Sequence, residues 1–123
     1  MGYNLFLDDN RTLEGVAGYT GNDMYTREKW VIARSYYDFI DYIDQFGMPD
    51  FISFDHDLGD VSDDPEHKEM TGYDAAKWLV DYCLDNEVPL PAYLIHTNNP
   101  VGRKDIHETI QNLVKFRQDG TKL

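Results

Sequence analysis

The chain predicts an α/β fold, a three-layer sandwich around a mostly parallel sheet, and three observations carry that expectation. Four short segments, residues 4–7, 30–33, 51–54 and 92–95, are nearly continuous in apolar residues. Strands covered on both faces read that way, whereas half-exposed strands alternate. Amphipathic helical patterns follow the last three segments. Strand and helix therefore alternate, as crossover connections between parallel strands require. At 123 residues, one domain over 1–123 is expected.

The first strand runs into Asp8 and Asp9. The stretch 11–28 carries Gly15, Gly18 and Gly21 without clear periodicity. It reads as a long loop with at most a turn or two of helix, which makes the first helix degenerate. After the second strand, Ser35 suits an N-cap, and Tyr36, Phe39, Ile40, Ile43 and Phe46 fall on one helical face. Gly47 ends that helix and Pro49 prevents its return. The third strand runs into Asp55, His56 and Asp57. Residues 60–69, the most charged window, read as a solvated loop. A helix from about Tyr73 to Asn86 buries Ala76, Leu79, Val80 and Cys83. The fourth strand runs into His96, Thr97, Asn98 and Asn99. Asn99 as N-cap and Pro100 at the first helical position open the last helix, whose core face is Ile106, Ile110, Leu113 and Val114. No clear fifth strand follows.

Composition narrows function. The chain has 23 acidic residues against 11 basic ones, a formal net charge of -12. That field repels polyanions, so extended nucleic-acid binding and anionic membranes are excluded, while a local site for one phosphate is not. The single cysteine, Cys83, rules out an internal disulfide and a multi-cysteine zinc site. No apolar run approaches the ~20 residues of a membrane span, and no basic n-region precedes a long apolar stretch. A cytoplasmic location is the default expectation.

With a flavodoxin-like strand order, the first strand lies between the second and third, and the fourth lies outside the third. Ligands then bind at the carboxyl ends of the strands. In a chain this acidic, adjacent acidic pairs arise about four times by chance, so Asp8-Asp9 means nothing as a dipeptide. Its placement matters: an acidic pair beside Asp55 is a costly like-charge cluster without a cation. Oxygen donors favour Mg²⁺ or Mn²⁺, held by Asp8, Asp9 and Asp55. His56 and His96 stand at the same edge, and histidine is the side chain whose unperturbed pKa lies near neutrality, so they are acid–base candidates, with Asp57 placed to orient His56. His67 and His107 read as ordinary structural residues. The start of the last helix favours an anion, with Gly102 permitting close approach and Arg103 able to grip a phosphate. Arg11 is either a second phosphate hand or a counterion to the acidic pair. A calcium loop counted from Asp55 fails, because Asp60 stands where the turn glycine belongs. There is no GxSxG elbow and no P-loop. Any covalent chemistry falls to Asp55.

These residues resemble the receiver domains of two-component response regulators, with an acidic pair after the first strand and an Asp after the third. The receiver lysine on a fifth strand is missing. A closer resemblance is to the cyclic-phosphate-processing receiver-like family. It rests on LFLDDNR (5–11), ISFDHDLGD (52–60), GYDAAKWL (72–79) and IHTNNPVGRKDI (95–106), in order over nearly the whole chain. The resemblance implies a receiver-derived fold turned to processing cyclic phosphate ends, plausibly of RNA. The implied activity is a metal-assisted phosphodiesterase. Its catalytic groups would be His56, His96, Asp55 and Asp57, and its substrate-binding groups Arg11, Thr97, Asn98, Asn99, Gly102 and Arg103. The partner is then a phosphate-containing small molecule or an RNA terminus. Segment 12–28 has no counterpart in the family pattern. Two rival expectations are a signalling receiver phosphorylated on Asp55 and an acidic inhibitor that uses the 60–69 acids.

Overall fold

The computed structural model describes residues 2–58 and 70–120. In chain order the elements are β1 (Asn4–Leu7), α1 (Leu13–Thr20), α2 (Met24–Arg27), β2 (Val31–Ala33), α3 (Tyr36–Phe46), β3 (Phe51–Phe54), α4 (Gly72–Asn86), β4 (Ala92–Ile95) and α5 (Pro100–Gly120). The sheet order is β2-β1-β3-β4, and all three pairings are parallel. The expected α/β class and strand order are both present. The four strand segments sit where their apolar runs placed them, β2 starting one residue late.

Strand side chains alternate between faces, and this divides the core. Leu5, Leu7, Ile52 and Phe54 point to one face, where Phe39 and Ile43 of α3, Ala75 and Leu79 of α4, and Ile106 and Ile110 of α5 bury them. Phe6 points to the other, against Val16 of α1 and Tyr25 of α2. Helices thus cover both faces, which is why the strands are apolar throughout. Cys83 is free and buried, as its place in the apolar pattern of α4 suggests.

Three local expectations change. The stretch 11–28 is not mainly loop: it forms α1 and α2. Thr12 caps α1 by accepting from the Gly15 N–H, and Gly21 ends it at φ 71°. The only fully buried residue of α1 is Val16, and two of its positions are glycine, so no period shows in the sequence. Phe46 is not core but 64% exposed, at the very end of α3. α4 begins at Gly72, where Thr71 and Asp74 form a reciprocal capping box. His67 and the acids of 60–69 lie outside the described residues.

Candidate functional site

The strand ladder continues one residue past β1, β3 and β4, and this fixes the site. The N–H of Asp8 donates to Ala33 O at 3.1 Å, that of Asp55 to Leu7 O at 2.9 Å, and that of His96 to Phe54 O at 2.9 Å. Phe6, Ser53 and Leu94 are register partners across β1, β3 and β4. Two residues further along, Asp8, Asp55 and His96 therefore form a row on the face covered by α1 and α2. One ligand atom from each lies within 4.8 Å of the others, and all three residues are buried. Above them opens a cleft of about 190 Å³, lined by Asp8, Asp9, Asn10, Arg11, Asp55, Asp57, Thr97, Asn98 and Asn99.

The two carboxylates are held differently. Asp8 Oδ1 accepts from the N–H groups of Asn10 at 2.9 Å and Arg11 at 2.8 Å, and Oδ2 faces His96 Nε2 at 2.9 Å. Burial pushes the Asp8 carboxyl up, but the His96 hydrogen bond and the two backbone donors together outweigh it and hold its pKa at about 2. Asp55 has one backbone donor, the His56 N–H at 2.9 Å. Burial and then the neighbouring Asp8 charge raise its pKa, and His96 and Arg11 offset only part of that. One guanidinium nitrogen spans the pair: Arg11 Nη1 lies 3.5 Å from Asp8 Oδ2 and 3.3 Å from Asp55 Oδ1. Of the two roles left open for Arg11, this structure has it as the counterion. Arg34 secures the loop beneath by donating to the carbonyls of Asp8 and Arg11.

His96 is wholly enclosed, at 0% exposure. Its ring stacks on Phe6, with centroids 4.7 Å apart and planes 8° from parallel. Its Nδ1 lies 2.7 Å from Ser53 Oγ, which lies 2.7 Å from the Tyr25 hydroxyl. An ionised Asp8 only accepts, so Nε2–H donates to it. A neutral ring then accepts at Nδ1 from Ser53, whose oxygen accepts from Tyr25. The chain Tyr25–Ser53–His96–Asp8 runs from α2 along the covered face of the sheet to the cleft floor. The Tyr19 hydroxyl donates to the His96 carbonyl, and its ring lies under the Arg11 guanidinium, 5.4 Å from centroid to Cζ.

His56 is different. Its side chain is 18% exposed, and Nδ1 lies 2.9 Å from Asp57 Oδ1. That hydrogen bond holds Asp57 below its ordinary carboxylate range. Asn99 Nδ2 donates to Asp57 Oδ2 at 3.4 Å, while Asn99 Oδ1 accepts from the Gly102 N–H at 3.0 Å and so caps α5. Two glycines make this packing possible. A Cβ on Gly72 would stand 1.7 Å from the Asp55 carbonyl oxygen, and one on Gly102 would stand 2.3 Å from His56 Cγ.

The expected site residues thus separate. Asp8, Asp9, Arg11, Asp55, Asp57, Thr97, Asn98 and Asn99 line one cleft. Asp9 is outside the close group of Asp8, Asp55 and His96. Gly102 does not line the cleft but packs against His56. Arg103 turns its guanidinium to the Thr97 carbonyl at 2.9 Å and lines a neighbouring depression with Tyr19, Tyr25 and Asn98. Sequence reasoning missed Ser53, Tyr25 and Tyr19. For Ser53 there was a signal, a lone hydroxyl inside an apolar strand. Tyr25 and Tyr19 had none, lying in a stretch without visible period.

Two buried carboxylates and an imidazole, one acid pushed down and the other up, suit a divalent cation: the geometry already brings a positive group between them. A parallel α/β sheet with an acidic cleft at its carboxyl edge defines a receiver-type domain. The chain belongs to the family described as the cyclic-phosphate processing Receiver domain, which it matches over residues 3–112. No curated protein matches the chain. Among solved structures it is similar to a fusion carrying the yeast Spc42 trimeric coiled coil, amino acids 181-211. The identity is 13% and the TM-score 0.53, covering 98% of this chain and 84% of that one, a likeness of fold alone. No helix among the described residues is long and apolar enough to cross a membrane.

Proposed function

We propose that the chain hydrolyses 2′,3′-cyclic phosphate ends of RNA or nucleotides, with Mg²⁺ or Mn²⁺ held by Asp8 and Asp55. The observation that carries this reading is the pair of buried carboxylates on the floor of a polar cleft, in a domain associated with cyclic-phosphate processing. When bound, the cation polarises the phosphoryl group. In the reaction, water adds to phosphorus, the bond to one ribose oxygen breaks, and that oxygen takes up a proton. His56 is the group suited to moving the proton, because it meets solvent and Asp57 fixes its Nδ1. His96 has no exposed surface and acts through Asp8, keeping that carboxylate ionised and oriented. Thr97, Asn98, Asn99 and Asp9 shape the cleft for the substrate end. Asp55 stays the residue for any covalent step, and Arg11, which lines the cleft, is the phosphate partner, while Arg103 faces a neighbouring depression.

The test is turnover of a nucleoside 2′,3′-cyclic phosphate with Mn²⁺, by wild type and His56→Ala. Loss of a general acid–base lowers turnover about 10²–10⁴-fold while the protein stays folded. Equal turnover by both sinks the role of His56. No turnover by wild type, together with a stable phosphate on Asp55 after acetyl phosphate treatment, as seen by intact mass, returns the chain to the signalling reading.

A further inference from the structure

The cleft already contains a cation, the guanidinium of Arg11. Its Nη1 lies within 3.5 Å of Asp8 Oδ2 and 3.3 Å of Asp55 Oδ1. A divalent ion held by Asp8 and Asp55 would compete with that nitrogen for the same carboxylate oxygens. Arg11 has somewhere to go: its side chain is 32% exposed, it lines the cleft, and its guanidinium rests on the ring of Tyr19, itself 45% exposed. Its backbone does not move with it, since the Arg11 N–H is tied to Asp8 Oδ1 and the Arg11 carbonyl to Arg34.

We infer that Arg11 is a resident counter-cation which a divalent ion must displace, and that its release couples metal loading to phosphate binding. The inference rests on the metal reading above. Without metal, Arg11 neutralises two buried carboxylates, and its Nη1 is held by both of them. With metal, the carboxylates no longer need it, and a planar fork of donors becomes free in the same cleft, suited to a phosphate group. Metal and phosphate then favour each other, and the coupling is reciprocal. Metal-free protein neither binds phosphate well nor leaves two bare carboxylates facing each other.

Mn²⁺ titration calorimetry on wild type, Arg11→Ala and Arg103→Ala tests this, with inorganic phosphate titrated with and without Mn²⁺. If Arg11 leaves the pair free a tenth of the time or less, Arg11→Ala binds Mn²⁺ about tenfold tighter or more. Arg103→Ala, which removes the same charge away from the carboxylates, changes Mn²⁺ affinity much less. Wild type binds phosphate more tightly with Mn²⁺ than without, and Arg11→Ala loses that gain. Equal or weaker Mn²⁺ binding by Arg11→Ala, or the same gain in Arg103→Ala, overturns the displacement while leaving the metal site standing. Absence of Mn²⁺ binding to all three proteins overturns both readings. Should Arg11→Ala not fold, wild type suffices: the Arg11 Nε–H NMR resonance shifts in step with Mg²⁺ occupancy. A resonance unmoved at saturation overturns the inference.

Discussion

His96 is the first residue after β4 and His56 the second after β3, and that one-residue difference gives them opposite environments. His96 still occupies a ladder position, so strand alternation sends it beneath the cleft, between Phe6, Tyr25 and Ser53. His56 has left the ladder and lies at the mouth of α5, where its ring meets Gly102, Asp57 and solvent. The same residue type therefore meets two kinds of surroundings. A wholly buried imidazole tied at both nitrogens can set the state of its neighbour but has no route to substrate. A partly exposed one with a single carboxylate partner can exchange protons. The comparison teaches that two histidines at one sheet edge need not share an environment; position in the ladder decides which is enclosed.

The largest expected effect comes from His96. His96→Ala leaves Asp8 without its Nε2–H donor and the Ser53 hydroxyl without an acceptor in a closed interior. Leaving a buried carboxylate and a buried hydroxyl each short of a partner costs about 3–5 kcal/mol in all. Urea unfolding monitored by circular dichroism measures it, against a cost of about 1 kcal/mol or less for His56→Ala. Similar losses in the two variants would erase the distinction drawn above.

A smaller effect, with a defined pH dependence, follows from Asp8. Its folded pKa is about 2, below the 3.8 of the unfolded chain. A depressed carboxyl contributes stability that is present above the unfolded value and lost as pH falls through the folded one. Asp8→Asn should therefore cost about 2–3 kcal/mol at pH 7, shrinking between about pH 5 and pH 1. Thermal melts across that window show whether wild type and variant converge on acidification. A gap independent of pH would mean that shape, not charge, holds Asp8.

The last expected effect falls on the His56 side. Gly102→Ala would set a methyl 2.3 Å from His56 Cγ, with the His56 Cβ also in the way, so the backbone around His56 has to shift, at a cost of about 1–3 kcal/mol. If His56 moves the proton, shifting it by about 1 Å lowers turnover about a hundredfold. A variant with unchanged turnover of the cyclic nucleotide would show that the position of His56 is immaterial to the reaction.

Much of the fold was legible from the chain. Continuous apolar runs marked all four strands, because a strand covered on both faces has no polar phase to hide it. Ser35, Thr71 and Asn99 all carry the side-chain oxygen that a helix start needs, though only Ser35 and Asn99 were read as caps. The segment 11–28 stayed obscure because α1 has eight residues, one of them fully buried, and α2 has four. Of the site, the strand-end clusters were visible and their convergence followed from the strand order. The division of labour inside them was not. Arg11 looked as suited to a phosphate as to the acids, and Arg103 looked aimed at the cleft it does not line.

The sequence by itself determined the strands, the order of the layers and the gathering of Asp8, Asp55, His56 and His96 at one sheet edge, since those depend on local pattern and on short connections. Only the tertiary structure decided which side chains share a face. The runs that make strands recognisable are apolar on both sides, so they carry no mark of which face is which. Register across β1, β3 and β4 supplies that mark, aligning Phe6 with Ser53 and Ser53 with Leu94. From that alignment follow the row of Asp8, Asp55 and His96, the hydroxyl of Ser53 behind it, and the position between the carboxylates that Arg11 fills.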